Sequence, residues 1–388
     1  MIKAEGNMRV LIVPMAAMAE TAGPGKRCRI ITELLHKNGI EVATCMARDL
    51  NFVRIDGVKN YELQIPTPLG MPDMAAGIFF PLVQKLGITA KKTVRSFDQV
   101  LYFTGNLNKR YLKKSVEDIR KAIRDHKTDI VYSEFNISAI IAARLEKKKL
   151  FITVSYPTQK EYACVPGLAK GLNQLLSDLG LPRVSSALEL FDWADECFCP
   201  SIPELEPFRE KKVRYIGAIC ANINENHPAK AKNKILVYMG NGTVPAAKMY
   251  REVSRAFESA PYEVYIASSY LKEGELGNIH VAKRWDFNSL LNEAVLFINH
   301  GGQNSMMDGL LHGVPQLLVP GKVFERRYNA ETLEKAGAGR ILEHTEFEAK
   351  RIRMLAEEII SSKEITENAE NIGSMLHRKD EEFLAHFR

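Results

Sequence analysis

The segment Leu296-Phe297-Ile298-Asn299-His300-Gly301-Gly302-Gln303-Asn304-Ser305 passes from a short apolar run through a glycine pair into a helix-compatible pattern that continues to Leu311. In a parallel sheet the carboxyl end of a strand and the start of the next helix border the ligand crevice. Two glycines let a ligand approach the backbone closely, and the N–H groups of a helix start, aided by the Asn304 and Ser305 side chains, suit a diphosphate. His300 can add a donor to a phosphate oxygen. Taken alone, the same letters also describe a turn followed by a helix cap.

The surrounding sequence repeats this strand-to-helix alternation. Ile235–Met239, Glu263–Ala267, Asn278–Val281 and Gln316–Val319 are further strand-like runs with helices between them. Toward the front, Arg9–Pro14 leads through a loop rich in Ala, Gly and Pro into a helix that Asn38-Gly39 stops, and Glu41–Cys45 follows as a second strand. Asp129–Ser133, Phe151–Val154 and Glu196–Cys199 continue the pattern, separated by helices over Tyr111–His126 and Ser138–Lys147. Between the two series, Ala218–Asn233 loses all periodicity and reads as a linker. The expected fold class is α/β, with two Rossmann-like domains built on parallel sheets. Their expected bounds are 1–217, a linker over 218–233, 234–375, and a helix over 376–388 that can pack back on the first domain.

A length of 388 residues agrees with two domains, and 46% hydrophobic with 26% charged residues is the balance of a globular protein. A formal charge of +6 favours anionic ligands only mildly. The basic clusters Lys147–Lys149 and Lys211–Arg214 lack interleaved aromatics and read as solvated helix ends or turns, so no nucleic-acid partner is expected. The cysteines Cys28, Cys45, Cys164, Cys197, Cys199 and Cys220 have no disulfide-framework spacing, and no secretory apolar region precedes Met8, which points to a reduced, cytoplasmic setting. Cys197 and Cys199 face one side of a strand and read as core; no metal site is expected. Residues 69–88, LGMPDMAAGIFFPLVQKLGI, are unusually apolar, and read either as a buried helix or as an acceptor pocket or peripheral membrane contact.

From Trp285 to Leu342 the sequence closely resembles the nucleotide-sugar signature of the UDP-glycosyltransferase superfamily, the inverting family 1 enzymes of GT-B architecture with two facing Rossmann-like domains, among them bacterial macrolide and glycolipid glycosyltransferases. The matching residues are Trp285, His300-Gly301-Gly302, Asn304-Ser305, His312-Gly313-Val314-Pro315, Pro320, Asn329-Ala330 and Gly337-Ala338-Gly339. The resemblance implies that Trp285 stacks on the donor base, with Asn288 near it, and that Asp308 meets the ribose hydroxyls where many members have Glu. Gly240-Asn241-Gly242-Thr243 resembles the loop that touches the diphosphate, through Gly242 and Thr243. Where the family has Asp-Gln reading sugar hydroxyls before the Asn-Ala at Asn329, this chain has Glu325 and Arg326. Arg326 exchanges a neutral amide for a fixed cation that forks onto carboxylate or phosphate, which suggests a donor sugar with an extra negative group such as a uronic acid.

The first domain matches the family loosely. Members place a general-base His in the loop after the first strand, held by an Asp from a later strand end. Here that loop, Met15 to Arg27, contains no histidine, and His36 sits near a helix end as a surface residue. Glu20 and Glu134 are the candidate catalytic carboxylates, with Glu134 as base or orienting partner. The resemblance implies transfer of a hexosyl or glycuronosyl group, without metal, from a UDP- or dTDP-linked sugar as co-substrate to a hydroxyl of a small hydrophobic or lipid-like acceptor. Two alternatives stay open at this level: a catalytically degenerate nucleotide-sugar-binding or regulatory protein, and a nucleotide-sugar epimerase of the same architecture.

Overall fold

A computed structural model defines the fold and describes residues 8–18, 22–49, 52–71, 93–163, 165–209, 212–220, 232–240 and 243–388. The chain divides into two compact units, each an α/β domain.

In the first unit the strands are β1 (Arg9–Pro14), β2 (Glu41–Met46), β3 (Lys59–Glu62), β4 (Ile130–Glu134), β5 (Lys149–Thr153), β6 (Glu196–Cys199) and β7 (Arg214–Tyr215). They form one parallel sheet in the order β3-β2-β1-β4-β5-β6-β7. Val10 and Ile12 pack with Cys28, Ile31 and Leu35 of the helix Ala22–Lys37, while the alternate residues Leu11 and Val13 are equally buried, so both faces of the sheet are covered. Double coverage explains why β1 reads as an unbroken apolar run rather than an alternating one. Local capping fixes the helices. The Asn108 side chain accepts from the backbone N–H of Arg110 and Tyr111 to start Lys109–His126, and Asn136 accepts from Ala139 to start Ile137–Leu145. The chain end returns to this unit: Phe383, Leu384 and Phe387 join the core cluster of Val10, Ile12, Tyr132, Phe151 and Phe198.

In the second unit the strands are β8 (Lys234–Tyr238), β9 (Glu263–Ala267), β10 (Gly274–Leu276), β11 (Ile279–Ala282), β12 (Ala294–Asn299), β13 (Gln316–Leu318) and β14 (Gly339–Ile341). Their order is β10-β11-β9-β8-β12-β13-β14, parallel throughout except for the antiparallel β10–β11 pair. Leu296 and Ile298 enter one apolar cluster and Phe297 the other, again a sheet buried on both faces. Each sheet reverses its direction of growth once, between β1 and β4 in the first and between β8 and β12 in the second.

The expected strands stand within one or two residues of their expected bounds, and four short strands at or beside the sheet edges, β3, β7, β10 and β14, were not anticipated. Thr93–Arg95, placed by sequence with the first domain, belongs to the second unit. Val94 donates to the Lys322 carbonyl and accepts from Phe324, a parallel bridge that satisfies its backbone there. Among the described residues no helix is long and apolar enough to cross a membrane. Most of the apolar stretch 69–88 and the linker residues 221–231 lie outside the described residues.

Candidate functional site

The carboxyl ends of β8 and β12, where the second sheet reverses, bring the central residues together. β12 ends at Asn299, whose amide works in two directions: Oδ1 accepts from the Gly301 N–H at 2.8 Å, and Nδ2 donates to Gln316 Oε1 at 2.8 Å. Gln316 in turn donates to the Met306 carbonyl, so a chain of amides ties the glycine turn to β13 and to the helix Gln303–Leu311. Gly301 takes φ +75°, and a Cβ there would stand 2.8 Å from the Arg326 carbonyl oxygen. Only glycine fits this turn without strain or collision. Gly302 is the cap residue of the helix Gln303–Leu311, and no side chain caps that helix start. A Cβ on Gly302 would lie 2.5 Å from His300 Nε2, so the bare backbone is needed for the imidazole to pack there. The result is a helix end with its partial positive charge facing a backbone stripped of side chains.

Asn329, expected to touch the donor, is buried and donates to the Gly301 carbonyl at 2.9 Å, so its amide also holds the glycine turn in place. His300 stands just before that turn. The ring is buried against Tyr238, edge to face at 5.4 Å, and Nδ1 lies 3.4 Å from the Tyr238 carbonyl. A carbonyl only accepts, so in this contact Nδ1 carries the proton of the neutral ring and Nε2 presents a lone pair. Burial, with the Arg326 charge as a second cause, pushes the imidazole down to about 3. His300 is therefore neutral at working pH and supplies no charge to a phosphate.

Arg326 supplies one. It stands in the first turn of the helix Phe324–Lys335, next to Glu325, and its Nη1 donates to Thr243 Oγ1 at 2.9 Å. The loop that follows β8 and the helix that follows β13 thus meet at this bond. Gly242, the other residue expected in that loop, lies outside the described residues. Asn304 and Ser305 occupy the first turn after Gly302, half-buried, and Asp308 the next turn. Trp285 lies half-buried between β11 and the helix Phe287–Leu291; its indole N–H donates to the Ile266 carbonyl at 3.1 Å, which fixes the ring, and Tyr265 meets it edge to face. Asn288 lies one residue into that helix, where its backbone carbonyl accepts from Asn292.

In the first unit, Glu134 closes β4 beside β1 and is fully buried. Arg27 Nε lies 2.6 Å from its Oε1, and Thr153 Oγ1 donates to Oε2. Tyr132 extends the network to Thr153 at 2.8 Å. A carboxylate with no exposure and both oxygens engaged cannot take a proton from an incoming hydroxyl, which corrects Glu134 as a candidate base. Arg27, its partner, carried no signal in the sequence beyond its place in the same loop and helix start. Glu20 lies outside the described residues. A cavity of roughly 200 Å³ opens past the carboxyl end of β5, lined among others by Val154, Thr158, Lys160, Leu188, Phe191 and Phe208, and sequence reasoning missed it. Cys197 and Cys199 are buried, and no group of three His, Cys, Asp or Glu residues fit to hold a metal occurs among the described residues.

Residues 273–378 match the family described as the C-terminal domain of erythromycin biosynthesis protein CIII-like proteins. The oleandomycin glycosyltransferase of Streptomyces antibioticus is 27% identical over 180 residues, which cover 44% of this chain and 42% of that protein. The aclacinomycin-T 2-deoxy-L-fucose transferase of Streptomyces galilaeus is 39% identical over 62 residues, 16% of this chain and 14% of its own length. The chain thus aligns with less than half the length of these curated relatives. Among solved structures, the calicheamicin glycosyltransferase superposes with a TM-score of 0.70 at 16% identity, covering 95% of this chain and 94% of that one. The spinosyn rhamnosyltransferase complexed with thymidine diphosphate does so with a TM-score of 0.69 at 14% identity, covering 98% and 100%. The family match lies across the glycine turn within residues 273–378, and the GT-B fold of two α/β units is shared with these glycosyltransferase structures along nearly the whole chain.

Proposed function

We propose that the chain is an inverting glycosyltransferase that binds a UDP- or dTDP-linked sugar at the ends of β8 and β12 and transfers the sugar to a hydroxyl of a small hydrophobic acceptor. The observation that carries this reading is the Gly301-Gly302 turn, which delivers an uncapped helix start to the point where the sheet reverses. Trp285, with its ring fixed by the bond to Ile266, offers a face to the base. Asn288, Asp308 and Glu325 are the polar groups proposed for base, ribose and sugar hydroxyls. In the step itself the acceptor oxygen attacks the anomeric carbon as the bond from that carbon to phosphate oxygen breaks. The electron pair leaves with the nucleoside diphosphate, whose charge the helix start at Gly302 opposes without a metal. Glu20 is proposed to take the acceptor proton, and the cavity beyond β5 to hold the acceptor body.

A second reading has an observation of its own. Glu134 is locked to Arg27 rather than to a histidine, and among the described residues the usual proton-relay pair has no counterpart beside it, as expected of a protein that binds the sugar nucleotide without turning it over. Incubation with labelled UDP- and dTDP-sugars separates the two. Nucleotide released only when an aglycone is present supports transfer, and tight binding with no release under any acceptor supports the binder. Change of the sugar itself would instead indicate epimerisation. Loss of turnover in Glu20→Gln with intact nucleotide binding checks the assigned base; unchanged turnover removes it.

A further inference from the structure

We propose that Arg326 is the fixed cation that grips the donor's diphosphate, taking the charge of the leaving group rather than reading the sugar. The inference rests on the donor-site reading above and deepens it. It begins with position. The Arg326 guanidinium reaches across to Thr243, in the loop that follows β8, at 2.9 Å. The backbone of the same residue closes on the other side against Gly301, where its carbonyl oxygen leaves no room for a Cβ. One residue therefore spans both elements that border the anion cradle, the β8 loop and the glycine turn.

The adjacent Glu325 acts on its charge but forms no ion pair with it. The neighbouring Arg327 forks onto the Glu343 carboxylate at 2.6 and 2.8 Å, the usual arrangement for a guanidinium on a protein. Arg326 makes no such pair: among the described residues its side chain donates to a neutral hydroxyl, and no carboxylate forms an ion pair with it. A half-buried guanidinium held beside an uncharged partner is costly unless an anion completes it. His300 cannot be that cradle's cation, because its ring is neutral and its Nδ1 proton faces the Tyr238 carbonyl. The Arg326 charge is itself one cause of that neutrality, so two basic groups share the pocket and one of them carries the charge.

The chemistry then selects the ligand. A planar guanidinium binds phosphate through two parallel N–H···O bonds. As the bond from anomeric carbon to oxygen breaks, negative charge grows on the diphosphate, and a pre-placed cation there stabilises the transition state more than the bound donor. A uronic acid carboxylate on the sugar is the competing anion for the same fork, and the bond to Thr243, in the loop assigned to the diphosphate, favours phosphate.

Calorimetric titration of the full chain and of Arg326→Gln and Arg326→Lys with UDP, TDP, uridine and thymidine tests the inference. The glutamine variant should weaken diphosphate binding by roughly 10- to 100-fold, the loss expected for a charged hydrogen-bonded group, while nucleoside binding changes less than about threefold and lysine restores part of the loss. Unliganded melting temperatures of the variants guard against a folding defect. If the parent binds neither diphosphate, the donor-site reading fails and the inference with it. If the parent binds them and Arg326→Gln binds them equally well, the inference alone is overturned. It is overturned too if the variant keeps UDP affinity and loses only a preference for UDP-glucuronate over UDP-glucose.

Discussion

Arg27 and Glu134, 107 positions apart in the chain, form an ion pair of 2.6 Å in the interior of the first unit, with side-chain exposures of 7% and 0%. The pair sits at the ends of β1 and β4, where the first sheet reverses, and the Arg27 guanidinium also lies over the Phe135 ring at 5.8 Å. Removal of one partner leaves the other buried without this opposing charge. Arg27→Met and Glu134→Gln should therefore each destabilise the first unit by about 3–5 kcal/mol. The double variant should cost clearly less than the sum, since the second change removes the buried charge left by the first. Trp193 reports on this unit, so urea unfolding followed by its fluorescence in a Trp285→Phe background reads the cycle. Additive single effects would show that the two residues do not act as a pair.

The glycine turn gives a prediction with an internal control. Gly301 and Gly277 both adopt left-handed φ, +75° and +59°, but a Cβ at Gly277 would meet nothing within 4 Å while one at Gly301 would strike the Arg326 carbonyl. Alanine at Gly277 should cost only the backbone term, about 1–2 kcal/mol. Alanine at Gly301 should cost more than that and should also abolish measurable UDP and TDP binding, because the turn that presents the helix start must move. Equal destabilisation of the two variants, with nucleotide binding intact in Gly301→Ala, would rule out the steric account.

How much of this was legible in the sequence follows from how each feature is encoded. β12 and its glycine pair could be read because a strand buried on both faces must be a continuous apolar run, and because glycine is the residue that its turn demands. The strands Lys59–Glu62 and Gly274–Leu276 could not, because edge strands exposed to solvent carry polar residues with no period. The Arg27–Glu134 and Arg326–Thr243 bonds join residues 107 and 83 positions apart, and no local spacing records such partners. The Asn329 bond to the Gly301 carbonyl was hidden for a related reason: an amide that binds a ligand and one that clamps a backbone carbonyl look identical as letters. The buried chain terminus was legible only as a possibility, since Phe383, Leu384 and Phe387 show an apolar face without showing what covers it.

That terminus carries weight in the first unit. The Phe383 and Phe198 rings meet edge to face at 5.0 Å, Phe387 and Phe151 at 5.2 Å, and Phe387 is 1% exposed. Phe387→Ala should therefore lower the stability of the first unit by about 3–5 kcal/mol. Glu381→Ala, which breaks only an exposed contact with Arg388, should cost no more than about 0.5 kcal/mol. The Trp193 signal again separates the outcomes, and a phenylalanine variant as stable as the glutamate one would mean that the last turn does not pack in the core in solution.

The last prediction concerns protons in the second unit. His300 is held neutral in the folded protein, down to about 3, chiefly by burial and then by the Arg326 charge. In the unfolded chain the same ring titrates near its ordinary value of about 6.5. Between these limits the unfolded state binds a proton that the folded state refuses, so stability rises with pH across this window and falls as the solution is acidified below about 6.5. The slope contributed by this one group is at most about 1.4 kcal/mol per pH unit. His300→Gln removes that titration. The stability difference between parent and variant, followed by Trp285 fluorescence in a Trp193→Phe background, should be flat above pH 7 and should shift toward the variant by up to that slope as the pH drops from 6 to 4. In Arg326→Gln the burial cause remains and the charge cause is gone, so the folded ring should titrate higher than in the parent, and the acid loss of stability should level off at a higher pH. A parent and a His300→Gln variant whose stabilities stay parallel down to pH 4 would show that the ring is solvated and charged, and the cradle would then have a second cation besides Arg326.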